Sequence, residues 1–190
     1  MDKNDFLIFG LHVAIVVLGI FLLWEVHRLN NNVLTINQHP HPILRQPAAS
    51  IEQIDETVIT LADDIVATLR YRTMTDFFLK RSMPKGLAAP QVGISKKLIV
   101  CGLNGKARVL INPEILERKG TYESYEGCLS VDKGSHRIIS RSAYVRLKYK
   151  GLDNRERILI ARNEDAAMLE HEIDHLNGVL NIDIQADEEG

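Results

Sequence analysis

The sequence predicts an α+β fold in which antiparallel β-sheets pack around a metal-binding helix near the C-terminus. Apolar runs separated by turn residues fill the middle of the chain, and a His-Glu-x-x-His motif follows them at positions 171–175. An apolar run close to the N-terminus adds a hydrophobic, transmembrane helix to the predicted fold. With 190 residues and a formal charge of -2, the chain is long enough for one domain, and its charge gives no case for specific DNA binding.

The N-terminal apolar run is long enough to cross a membrane. Residues 6–23 are interrupted only by His12, and Trp24 follows where an interfacial aromatic side chain would lie. A cleaved signal peptide is the alternative, but its apolar region is shorter, and no A-x-A cleavage site follows the run. We therefore expect a single-pass membrane anchor over residues 1–28 and a polar linker over residues 29–35.

Periodicity predicts the elements between the linker and the motif helix. Apolar residues at steps of three and four indicate a helix over residues 50–72, which Ser50 and Gln53 would begin as a capping box. The Asn-Gly pair at 104–105 predicts a hairpin between two apolar strands. Alternating polar and apolar residues predict a further strand over 144–149.

The motif helix carries the candidate metal-ligating and catalytic residues. His171 and His175 are four residues apart, so a helix places both imidazoles on one face, where they can ligate one metal ion. Glu172 lies where its carboxylate can reach a metal-bound water. Asn163 would cap this helix and Gly178 would end it. Taken alone, the pattern also fits a solvated helix with two chance histidines.

A catalytic metal centre of this kind needs a third protein ligand. Asn181 occupies the position at which an H-x-x-G-x-x-H pattern places that ligand, and an amide is a poor one. The acids after it indicate a solvated tail over residues 185–190. The best upstream candidate is Cys128, because a metal ion deprotonates a thiol. The other cysteine, Cys101, lies in an apolar run typical of a buried strand. Two cysteines are too few for a disulfide framework.

Three motifs follow one another along the chain: GLAAPQVG from Gly86, EGCLS around Cys128 and HEIDH from His171. Together and in this order they resemble the motifs of peptide deformylase. This family removes the N-formyl group from the initiator methionine of new bacterial and organellar polypeptides. The resemblance covers residues 36–184, which we take as the catalytic domain. It implies that Cys128, His171 and His175 hold one divalent metal ion, typically Fe(II), with zinc or nickel able to occupy the site.

The same resemblance implies roles for the remaining site residues. Glu172 would be the general base and acid, and Gln91 with the backbone N–H of Leu129 would bind the oxyanion. N-formyl-methionyl nascent peptides would be the substrates, so the catalytic domain is expected in the cytoplasm. The residues expected to contact substrate are Gly86, Gly127, Ala167 and Met168. For Ala167 and Met168, plain core packing is the alternative.

Some positions depart from the family's pattern. Pro84 and Lys85 stand where a glycine and its neighbour are usual, and Glu170 replaces a usual glutamine before the first histidine. Asp132 and Ser140 occupy positions where prolines are usual. These departures leave every expected catalytic group in place, so we expect them to affect substrate preference or rate.

Two other functional classes remain open at this point. A membrane-anchored metalloprotease would use the same His-Glu-x-x-His motif, although the intact EGCLS and GLAAPQ motifs argue against it. A non-catalytic relative could serve as a binding protein, although Glu172 and Gln91 are retained.

The basic residues between positions 70 and 85 are interpreted as solvated charges, and contact with ribosomal RNA or anionic lipid is the alternative.

Overall fold

The computed structural model describes most of the chain. The chain divides into two compact units, Met1–Val33 and Leu34–Gly190, and the second unit carries the sheets and motifs. The acidic tail predicted over residues 185–190 lies outside the described residues. The residues that the structure describes are 15–17, 19, 32–78, 85–132 and 136–184.

The structure corrects the predicted membrane attachment. Within the described part of the chain, no helix is both long enough and apolar enough to cross a bilayer. The helix Glu56–Phe78 has sufficient length but carries six charged residues. The predicted anchor over residues 1–28 lies outside the described residues apart from 15–17 and 19. The prediction of a single-pass membrane protein with a cytoplasmic catalytic domain is therefore wrong for the described chain.

The described residues form seven strands in two antiparallel sheets. The strands are β1 (Gly86–Ala88), β2 (Leu98–Leu103), β3 (Lys106–Lys119), β4 (Tyr122–Glu126), β5 (Arg137–Arg141), β6 (Tyr144–Lys150) and β7 (Glu156–Arg162). The larger sheet has the order β1-β2-β3-β6-β7, and β4 pairs with β5 in the smaller one. Together with the C-terminal helix described below, these sheets confirm the predicted α+β class.

Local sequence explains the strand pairing. Asn104 and Gly105 have φ angles of 51° and 71°, the left-handed backbone that a two-residue hairpin turn requires. Leu103 pairs with Lys106 across this turn, which confirms the predicted hairpin. The alternation predicted for β6 is also confirmed, since its buried apolar side chains are Val145, Leu147 and Tyr149.

The first long helix, α1, spans Glu56–Phe78 and both begins and ends later than predicted. Asp55 caps it, because its carboxylate accepts hydrogen bonds from the backbone N–H groups of Thr57 and Val58, both at 3.1 Å. The capping box predicted for residues 50–53 is wrong, because these residues precede the helix and have no helical backbone.

The motif helix, α2, spans Glu164–Leu176. Gly178 ends it as predicted, with a φ of 76°, and a Cβ there would lie 2.7 Å from the backbone carbon of Arg45. Both the backbone conformation and the available space therefore require glycine. The predicted cap on Asn163 is wrong, because its φ is 48° and its side chain makes no capping hydrogen bond.

Strand β2 of the larger sheet is covered on both faces. Ile99 and Cys101 pack in one core cluster with Leu169 of α2, whereas Val100 packs in a second cluster with Ile65 of α1. Successive residues of a strand point to opposite faces, so one short strand joins both clusters. This arrangement buries Cys101 completely, as expected for a core cysteine, and holds α2 against β1 and β2.

Candidate metal centre and active site

Three side chains able to ligate a metal ion converge between α2 and the loop after β4. His171 and His175 lie one helical turn apart, with their Nε2 atoms separated by 3.2 Å. The Sγ atom of Cys128 lies 3.4 Å from the Nε2 atom of His175. The three potential ligand atoms all lie within 4.8 Å of one another. A thiol with two imidazoles is a donor set that suits zinc, iron and similar divalent ions, so these residues fit one metal ion.

The loop after β4 brings the thiol to the helix. β4 ends at Glu126, and Gly127 and Cys128 follow without regular structure. The EGCLS motif is therefore a strand only at its first residue, Glu126. The backbone N–H of Ser130 donates to the Cys128 Sγ at 3.4 Å, and this contact fixes the sulfur within the loop.

A buried network of charges orients His171. Its Nδ1 atom lies 2.8 Å from a carboxylate oxygen of Glu126. Arg141 donates two hydrogen bonds to the same carboxylate, at 2.8 and 3.0 Å, and a third to Asp174 at 2.6 Å. Burial raises the pKa of Glu126, but the hydrogen bonds from His171 and Arg141 outweigh it and lower that pKa to about 2. An ionised Glu126 holds the proton of His171 on Nδ1 and leaves Nε2 free for a metal ion.

Sequence analysis does not find this network. Glu126 has a usable signal, since it lies two residues before Cys128 and metal-bound histidines commonly donate to a carboxylate. Arg141 and Asp174 have none, because only the fold brings β5 and α2 together around Glu126.

Glu172 is buried beside the histidines and borders the cleft. It is 4% exposed, and its Oε2 atom has no hydrogen-bond partner among the described residues. Burial is the largest effect on its pKa and raises it to about 7. A Cβ at Gly86 would collide with the Glu172 carboxylate, which therefore lies directly against the backbone of β1. A carboxyl group with a pKa near neutrality can both accept and return a proton.

Burial lowers the pKa of both histidines, but the net shifts of the two have opposite directions. It lowers the pKa of His171, but hydrogen bonds with Cys128 and Glu126 raise that pKa well above its usual value. For His175, burial and the charge of His171 both lower the pKa. A neutral His175 is in the protonation state in which an imidazole binds metal.

The Gln91 side chain is held at both ends. Its Oε1 atom accepts a hydrogen bond from the backbone N–H of Ala88 at 2.8 Å. Its Nε2 atom donates to the Ser130 hydroxyl at 3.2 Å and lies 3.9 Å from the Cys128 Sγ. The amide therefore presents its N–H groups to the thiol side of the site, where they can reach a developing negative charge.

A cleft of about 1060 Å³ opens over these groups. Ala167 and His175, both 1% exposed, do not line it. Core packing is thus the structural role of Ala167, and its expected contact with substrate stays a prediction. The other expected site residues all line the cleft: Gly86, Gln91, Gly127, Cys128, Leu129, Met168, His171 and Glu172.

The structure explains the unusual Glu170 in front of the first histidine. Its buried carboxylate accepts hydrogen bonds from the Ser142 backbone N–H at 2.7 Å, the Ser142 hydroxyl at 2.9 Å and the Arg118 guanidinium at 2.7 Å. These three hydrogen bonds offset the free-energy cost of burying the carboxylate. Glu170 does not line the cleft, so its role is to fasten α2 to β3 through Arg118 and to the residue that follows β5, Ser142.

The other departures lie at the rim of the cleft or away from it. Lys85 forms an ion pair with Glu164 at 2.7 Å, which joins the start of β1 to the first residue of α2. Asp132 lines the cleft, whereas Ser140 lies in β5. Pro84 lies outside the described residues.

The fold and the converging ligand set define a metalloenzyme of the His-Glu-x-x-His class. Comparison with known proteins identifies the family. A family model described as polypeptide deformylase matches residues 33–189, and the chain belongs to this family.

Relatives and solved structures agree with this membership. Peptide deformylase 1 of Clostridium acetobutylicum is 37% identical over 158 residues, which cover 83% of this chain and 98% of that protein. The crystal structure of peptide deformylase from Thermotoga maritima matches with a TM-score of 0.71 and 31% identity, over 82% of this chain and 99% of that one. A class I type b peptide deformylase from Acinetobacter baumannii, bound to Met-Ala-Ser, matches with a TM-score of 0.69 and 30% identity, over 80% and 98% of the two chains.

Proposed function

We propose that this chain removes the N-formyl group from the N-terminal methionine of newly made polypeptides by metal-dependent hydrolysis. The observation that carries this proposal is the convergence of one thiol and two imidazoles beside a cleft that the buried carboxylate of Glu172 lines, in a chain of the deformylase family. Because such substrates emerge from ribosomes, the ribosome is a proposed partner.

Cys128, His171 and His175 would hold the metal ion. Fe(II) is the proposed ion, and the same thiolate and imidazole donors would also accept zinc or nickel. When bound, the ion supplies Lewis-acid chemistry to a water molecule and to a carbonyl oxygen. Glu126 keeps His171 in the tautomer that leaves its Nε2 atom available as a donor.

Glu172 is the proposed proton carrier. Its carboxylate lines the cleft between the histidines and the backbone of Gly86, and one of its oxygens has no hydrogen-bond partner among the described residues. It takes a proton from the water that attacks the formyl carbon. It then returns that proton to the amine nitrogen as the C–N bond breaks, which releases formate and a free methionyl N-terminus.

Two N–H donors would stabilise the oxygen of the tetrahedral intermediate. Gln91 supplies its Nε2 group, which the hydrogen bond between Ala88 and the amide oxygen holds in place. The second proposed donor is the backbone N–H of Leu129, in the loop that also carries Cys128. Met168 lines the cleft one turn before His171, and its adaptable thioether would pack against the substrate methionine.

Substitution of Glu172 by glutamine tests this proposal. The amide keeps the size of the side chain but cannot carry the proton, so we expect formate release to fall by about 10²- to 10⁴-fold. Elemental analysis should show unchanged metal content, because the three ligands are intact.

The matched control is Glu170→Gln, two residues away on the same buried helix. Glu170 does not line the cleft, and glutamine keeps the size of the side chain and an oxygen that can accept from the Ser142 backbone N–H, so this variant should keep its turnover. A Glu172→Gln variant that releases formate at the wild-type rate would exclude Glu172 as the general base.

A further inference from the structure

An exposed aromatic pair lies at the edge of the cleft and takes no part in the proposed chemistry. Tyr125 is 73% exposed, although it precedes Cys128 by only three residues. Its ring stacks on that of His136, with centroids 5.1 Å apart and 18° between the planes. Both residues line the same cleft as Cys128, His171 and Glu172. A large aromatic surface that is exposed beside a binding cleft is available to a ligand.

The strand β4 directs the tyrosine ring outward. Its buried residues Ser124 and Glu126, 8% and 7% exposed, flank the exposed Tyr125. Side chains alternate between the two faces of a strand. Glu126 therefore points toward the metal ligand His171 from the buried face of β4, and Tyr125 lies on its exposed face. Core packing does not account for the tyrosine ring.

Gly127 fixes the position of the histidine ring. A Cβ at this position would lie 2.5 Å from the Nε2 atom of His136 and 2.9 Å from its Cδ2 atom. The imidazole therefore packs directly on the backbone beside Cys128, at a distance that a side chain would prevent. The local sequence therefore accounts for both rings: β4 exposes Tyr125, and Gly127 leaves room for the imidazole of His136.

We propose that Tyr125 and His136 form a platform that recognises an aromatic side chain in the substrate, at a residue following the formyl-methionine. This inference rests on the proposed function, which places the formyl group beside Cys128. Three residues of chain span at most about 11 Å, so the platform lies within reach of the second or third residue of an extended peptide. An aromatic side chain gains offset or edge-to-face ring contacts there in addition to buried area, whereas a small side chain gains neither.

Three formylated peptides test the platform: formyl-Met-Ala-Ser, formyl-Met-Phe-Ser and formyl-Met-Ala-Phe. We expect Tyr125→Ala to lower kcat/KM about tenfold for the preferred phenylalanine peptide, through KM and with kcat retained. The same variant should leave formyl-Met-Ala-Ser nearly unchanged, and Tyr125→Phe should restore the preference because it keeps the ring. The matched control is Glu123→Ala, which changes an exposed residue on the same face of β4 that does not line the cleft.

Binding of the product peptides Met-Ala-Ser, Met-Phe-Ser and Met-Ala-Phe, measured by calorimetry, separates this inference from the proposed function. Formate release by the wild-type protein with no Tyr125-dependent preference would refute the platform and leave the proposed function standing. An equal loss on all peptides in Tyr125→Ala would also refute the platform. A Tyr125-dependent preference in binding, with no formate release from any peptide, would support the platform and refute the proposed function.

Discussion

Replacement of Gly86 by alanine should disable Glu172 without changing its chemistry. The new Cβ would lie 2.6 Å from the Cγ atom and 2.7 Å from the Cδ atom of Glu172, and in contact with its Oε1 atom. Ordinary contact begins at 3.4 Å, so the carboxyl group must move by about 1 Å to clear its nearest oxygen. Glu172 is 4% exposed and cannot swing into solvent. A misplacement close to 1 Å lowers a catalysed rate by about 10²-fold, so we expect a loss of that size in kcat/KM.

The same alanine has two opposing effects on stability. Restriction of the unfolded chain raises the free energy of unfolding by about 0.4–1 kcal/mol. Overpacking against the buried Glu172 lowers it by about 1–3 kcal/mol. Because the second effect is larger, we expect a net destabilisation of about 1–2 kcal/mol, measured by denaturant unfolding.

Gly102→Ala in the adjacent strand β2 is the matched control. The nearest atom to its new Cβ would be the backbone oxygen of Lys85 at 3.7 Å, an ordinary contact. This variant should therefore keep its stability and its formate release. Equal metal content in both variants must be verified first. If Gly86→Ala hydrolyses a formylated peptide at the rate of Gly102→Ala, catalysis does not depend on the Glu172 carboxylate at its position against β1, and the prediction is refuted.

Two further predictions concern the metal ligands. Glu126→Gln removes the charge that accepts the His171 Nδ1 proton, so metal affinity should fall about 10- to 100-fold in competition with a chelator, and an unchanged affinity would show that the imidazole is oriented without this carboxylate. Cys128→Ala should lose metal by elemental analysis, whereas Cys101→Ala should keep it, because Cys101 is fully buried and burial raises its pKa to about 12. Equal metal content in the two cysteine variants would contradict the ligand assignment.

Features with a local signal could be predicted from the sequence. The four-residue spacing of His171 and His175 is a property of any helix, and the structure places both side chains together with Cys128. Gly178 and the hairpin at 104–105 follow from backbone conformations that few residues adopt. The family itself was recognisable because its motifs are short and contiguous.

Features that depend on tertiary contacts could not be predicted. Ser50 and Asp55 are both good capping residues, and only the position of the helix in the fold selects Asp55. The ion pairs of Arg141 join residues from separate elements and leave no periodic pattern. Gly86 resembles an ordinary loop glycine in the sequence, whereas its structural reason is the proximity of Glu172.

The most direct test of the proposed function identifies the bond that breaks when the metal-loaded chain acts on formyl-Met-Ala-Ser. Liquid chromatography with mass spectrometry separates the deformylated peptide from fragments cut at an internal peptide bond, and a coupled assay measures formate. We expect formate and intact Met-Ala-Ser in equal amounts, with no internal cleavage. Internal cleavage would instead indicate a metalloprotease, and the absence of any product from protein with verified metal content would contradict the proposed function.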